Sequence, residues 1–158
     1  MRCLLLIYFC LILFGCESKK SKPIEPLSTG KVFLSEFDNN IKIKSLSEQA
    51  QKGDTAAYNK LYEIYSLSDH SEEFLYKAVT MAETYNYSQA YFDVYIILRS
   101  GKSNSKNSFT NKLANYYLLK AFEAGNSHSR FQIEERFNKR EISSLPTSRE
   151  YWNEILKN

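Results

Sequence analysis

The side chains able to act as nucleophiles or metal ligands are few, and their spacing suits neither task. The chain holds three cysteines and two histidines. Cys3 and Cys10 lie in an N-terminal apolar stretch, and Cys16 closes that stretch in "LFGCESKK". His70 and His128 are far apart, and neither stands at a metal-ligand spacing from another donor. "DHSEE", Asp69 to Glu73, gathers carboxylates, but carboxylates favour the positive end of the helix dipole, so it reads as an acidic helix start after a loop. "SGKS", Ser100 to Ser103, has the lysine and hydroxyl of a phosphate loop. That loop needs a glycine five residues before Gly101, where Ile96 stands, and no strand precedes it. These residues predict a non-enzymatic chain that uses no metal and no cofactor.

Cys16 has a different chemistry available. Leu4 to Phe14 are apolar throughout and Arg2 precedes them, the charged start and apolar middle of a secretory signal. The run is too short to span hydrocarbon, which takes about 20 apolar residues. Leu13-Phe14-Gly15-Cys16 resembles the bacterial lipobox through Leu13, Gly15 and Cys16. That resemblance implies cleavage before Cys16 and attachment of diacylglycerol to its sulfur. Residues 1–15 would then be a signal peptide that takes Cys3 and Cys10 with it, leaving no pair for a disulfide. Several acyl chains hold a protein to a bilayer far more firmly than one. Glu17 is not the aspartate of an inner-membrane retention signal, which favours the periplasmic side of an outer membrane. Residues 16–31 carry two prolines and read as a lipidated cysteine followed by a flexible tether of about 50 Å at full stretch. Lys19, Lys20 and Lys22 in it make only a weak patch for anionic headgroups.

The remaining chain, 32–158, is one domain's worth. A net charge of +3 gives no nucleic-acid footprint. Five glycines and three prolines favour long helices over many tight turns. From Phe33 onward the apolar spacing is helical, as in "KLYEIY" from Lys60, and no stretch alternates strictly enough for a strand.

Those helices repeat. "GDTAAYNKLYEIY" from Gly53, "NYSQAYFDVYIIL" from Asn86 and "GNSHSRFQIEERF" from Gly125 align at steps of 33 and 39 residues. The longer step holds the polar stretch Ser100 to Asn111, expected to be a loop. Gly53, Asn86 and Gly125 suit the left-handed conformation that closes a helix. Asp54 can cap the next one. Ala57, Ala90 and Ser129 are small enough to admit a close neighbour, and Leu61, Val94 and Ile133 fill the seam one turn later.

This pattern resembles Sel-1-like repeats, relatives of the tetratricopeptide repeat, most clearly in "KAFEAGN" from Lys120. The resemblance spans about Lys42 to Lys139. It implies an all-α fold, a short α-solenoid of about three antiparallel helix pairs. Ser148 to Leu156 would form a C-terminal capping helix, with Trp152 in its core, since solenoid ends need covers. Tyr58 and Tyr62, like Tyr91 and Tyr95, are four apart and share a helix face. In the family that helix lines the concave surface, so the four rings are expected to form a partner-binding ridge. Arg130 and Glu134 take their places in the third copy and would turn the groove charged.

Such arrays bind proteins. With the lipobox, the chain is similar to the repeat-type lipoprotein immunity proteins that neutralise antibacterial effectors. The expected partner is a secreted toxin or effector, with the membrane reached through lipidated Cys16. An envelope adaptor for assembly or signalling is the alternative.

Overall fold

The computed structural model describes residues 28–100, 109–137 and 144–157. Within them the fold is all-α, and no strand occurs. Eight α-helices follow one another: α1 (Thr29–Phe37), α2 (Asn40–Ala50), α3 (Thr55–Leu67), α4 (Leu75–Tyr85), α5 (Ser88–Ser100), α6 (Phe109–Glu123), α7 (Ser129–Phe137) and α8 (Ser148–Lys157). A 3-10 turn, Ser71–Phe74, leads into α4. The pairs α2–α3, α4–α5 and α6–α7 pack as hairpins, α1 lies on the first pair and α8 on α6. The expected solenoid of three pairs with a C-terminal cap is the observed architecture. The expected cleavage site, Cys16 and most of the tether fall outside the described residues.

The repeat boundaries form as the sequence predicts. Gly53, Asn86 and Gly125 all take positive φ, at 89°, 51° and 80°. At Gly53 the glycine amide donates to the Ala50 carbonyl, and the Asp54 amide reaches back to Gln49. The same two bonds recur from Gly125 to Phe122 and from Asn126 to Ala121. They satisfy carbonyls left over at the helix end. The next residue then opens the following helix. Asp54 Oδ1 accepts from the amides of Ala56 and Ala57, and Asn126 Oδ1 from those of His128 and Ser129. Two adjacent residues thus end one helix and start the next, which keeps each turn short.

The seam residues are in the core: Ala57, Ala90 and Ser129, and Leu61, Val94 and Ile133, are all buried. Leu61, Val94 and Ile133 each contribute about 1.5–3 kcal/mol on leaving water.

Three local expectations are corrected. The tether ends sooner than Lys31, because the Ser28 carbonyl accepts from Lys31 and Val32 and begins α1 at Thr29. Phe109 to Asn111, placed in a polar loop, form the first turn of α6. Asp69 does not start a helix. It adopts φ 67° and ends α3, with the His70 amide bonded back to the Tyr65 carbonyl, while Glu72 and Glu73 do lie in the first turn of the 3-10 helix.

Both ends are covered. On α1, Phe37 stacks on His70 at 3.8 Å and meets Tyr65 edge-on at 5.1 Å. That places His70 in packing. At the other end, Thr147 and Glu150 exchange bonds as a capping box for α8, and Ser148 donates to the Glu123 carboxylate from both its amide and its hydroxyl.

Candidate partner-binding surface

Tyr58, Tyr91 and Tyr95 do not form an open ridge. They are buried, at 0 %, 2 % and 2 % exposure, and Tyr62 is half-buried with its ring 5.7 Å from Phe74. The reason lies in the repeat. These positions face the following helix pair, so the two copies that have a successor use tyrosine there as filling. The last pair has none in that place, and its equivalents, Arg130 and Glu134, are exposed, 3.9 Å apart along α7. The four rings are therefore reassigned to packing, and only Arg130 and Glu134 of the expected contact set stand open.

The buried tyrosines are not inert. Tyr58 donates from Oη to Asp93 Oδ2 at 2.8 Å, and Tyr95 donates to Gln132 Oε1 at 2.9 Å. Gln89 donates to Asp93 Oδ1 at 2.8 Å and accepts from Asn126 Nδ2 at 3.0 Å. Asp93, Gln132 and Lys60 share one repeat position. A polar chain thus runs from the first pair through the second to the third. Asp93 is 1 % exposed, and burial pushes its carboxyl up to about 6 against the pull of Gln89 and Tyr58. Burial and the Asp93 carboxylate together drive the Tyr58 hydroxyl far above its ordinary range, so it stays a donor.

Further accessible groups lie on the first helices of the pairs, α2, α4 and α6, and on α8. The Tyr85 hydroxyl of α4 donates to the Gln51 carbonyl at the end of α2, and side chains join α4 to α6 and α6 to α8. Lys120 Nζ of α6 lies 2.9 Å from the Glu83 carboxylate of α4. It also stands 4.6 Å from the centre of the Tyr91 ring and 5.8 Å from that of Tyr116. Partial burial alone would lower this ammonium, but Glu83 holds it above its usual range. Tyr116 meets Trp152 of α8 at 5.0 Å. Trp152 is half-buried, so it serves as both cap packing and surface.

Between α2 and α4 lies a cavity of about 180 Å³. Leu61, Tyr58 and Met81 close its floor, Ala50 and Thr80 form walls, and Tyr76 and Lys77 stand at its mouth. Tyr76 is 79 % exposed. Sequence reasoning missed this place. Its one signal was the same 33-residue step, which sets Lys44 against Lys77 and Ser47 against Thr80.

Among the described residues no group of three or more histidine, cysteine or carboxylate side chains is placed to hold a metal, and no helix is long and apolar enough to cross a membrane. No protein-family model matches the chain, and neither a curated protein nor a solved structure matches it.

Proposed function

We propose that this chain is a protein-binding repeat module tethered to the periplasmic face of a bacterial envelope membrane through lipidated Cys16. Its most specific role is that of a Sel-1-like immunity protein, which captures a secreted antibacterial effector and covers its active site. The observation that carries the binding reading is the first-helix layer. Tyr76, Tyr116, Trp152 and Lys120 put aromatic and cationic groups on a stiff helical frame beside an open cavity. Tyrosine and tryptophan are the types enriched among binding hot spots, because they bring large contact area at small entropic cost. The anchoring part rests on the apolar run, its charged start and Gly15-Cys16.

Affinity capture with the tagged full-length chain tests both parts. The prey is the secreted proteins and the envelope extract of the producing strain. One secreted toxin in equal amount supports the immunity role, and resident envelope proteins in its place would replace that role with an envelope adaptor. Cys16→Ser should move the chain out of the membrane fraction, and unchanged fractionation removes the lipid anchor.

A further inference from the structure

The cavity between α2 and α4 has a size and a charge that specify its occupant. An apolar cavity of about 150 Å³ takes up a benzene ring, and this one measures about 180 Å³. Its floor of Leu61, Met81 and the Tyr58 ring offers contact to an apolar group and no charge. The rim differs. Lys77 lines the mouth, and Lys44 stands at the equivalent position of α2, one turn before the lining residue Ser47. Neither lysine is ion-paired among the described residues, whereas Lys42, Lys60 and Lys120 are. Neither Lys44 nor Glu48, the carboxylate next to Ser47, lines the cavity itself, and Lys77 is the one charged residue among its lining. A lining cation with no paired carboxylate, and a second lysine one turn from the lining on α2, fit a ring flanked by carboxylates.

We propose that this cavity is an anchor pocket for one aromatic side chain on an acidic segment of the partner protein, with the ring on the floor and its flanking carboxylates facing Lys44 and Lys77. The inference rests on the protein-binding reading and deepens it by naming the recognised chemistry. The Tyr76 ring, exposed at the mouth, would close over the inserted side chain.

The chain has two methionines, Met1 and Met81, so a methyl-labelled spectrum reports the floor of the pocket through one resonance. The full-length chain is titrated with a blocked Asp-Phe-Asp peptide, and with Asp-Ala-Asp and Lys-Phe-Lys as comparisons. The expected result is a saturable shift of the Met81 methyl with Asp-Phe-Asp only. Lys44→Glu with Lys77→Glu, two surface changes that leave the fold intact, should weaken it by roughly tenfold. No shift with Asp-Phe-Asp overturns the pocket, and an equal response to Lys-Phe-Lys overturns its charge preference. If the wild-type chain captures a protein and the double-Glu variant captures it equally well, the anchor role falls while the binding module stands. If the peptide binds and no protein is captured, the module falls and the pocket's chemistry stands.

Discussion

The two boundaries between successive helix pairs are built from equivalent repeat positions, yet they are closed in different ways. The boundary between the second and third pairs is narrow. Ala90 on α5 and Ala114 and Ala121 on α6 are fully buried, and among the described residues α5 with α6 makes the most extensive helix contact. The boundary between the first and second pairs is wide. There α3 meets its neighbour chiefly through the 3-10 turn and through rings, with Phe74 lying 5.2–5.7 Å from Tyr58, Tyr62 and Tyr65. Tyr87 meets Tyr58 edge-on at 5.7 Å. The narrow boundary holds rings too, with Tyr91 6.3 Å from Tyr117, but its small residues let the helix backbones approach. Rings hold helices apart, and flat, rigid shapes do not tile the space fully, so a cavity and a buried carboxylate remain. The wide boundary is accordingly where the cavity opens.

The strongest way to break this comparison is to remove the ring that holds the wide boundary. Tyr58→Ala deletes a fully buried side chain and takes the donor from Asp93. It should cost about 3–5 kcal/mol in urea unfolding. A variant of wild-type stability would return Tyr58 to the surface and restore the tyrosine ridge as a binding site.

Asp93 offers a second handle. Its carboxyl sits at about 6 when folded against 3.8 when free, so the folded chain holds this proton more tightly than the unfolded one. The group's contribution is therefore most favourable below about pH 4 and is lost as pH rises through 6, by about 2–3 kcal/mol. Asp93→Asn removes that slope. The stability of the variant relative to wild type should improve steadily from pH 4 to pH 7, and a flat difference would mean the carboxylate is solvated.

The smallest effect separates the boundaries at their turns. Gly53 and Gly125 both have positive φ, where an alanine is strained by about 1–2 kcal/mol. A Cβ at Gly53 would also come within 2.7 Å of the Tyr85 ring, whose hydroxyl donates to the Gln51 carbonyl across the wide boundary, while Gly125 has open space around it. Gly53→Ala should thus cost about 1 kcal/mol more than Gly125→Ala in thermal unfolding. Equal costs would show that Tyr85 yields without loss and does not brace this boundary.

Much of the fold was legible because its instructions are local. "GD" and "GN" mark places where one helix must stop and another start, and each acts through backbone bonds reaching no further than five residues. The Thr147–Glu150 box before α8 is of the same kind. The binding surface was less legible. Four-residue spacing told correctly that Tyr58 shares a face with Tyr62, but the identity of the element opposite that face is not written in either residue. Asp93, inside "YFDVY", carries no mark of burial, since Gln89 four residues before it is a local partner and the Tyr58 hydroxyl that covers it comes from another helix.

By itself, then, the sequence determined the all-α class, the three repeat turns and the small residues along the seams, because caps and positive-φ positions depend on neighbours in the chain. The tertiary structure alone decided that the tyrosines Tyr58, Tyr91 and Tyr95 are buried and that Tyr76 and Lys44 stand open, and Lys77 half-buried, on first helices. Only there do residues some 35 apart meet, and whether a side chain is core or surface is a property of that meeting.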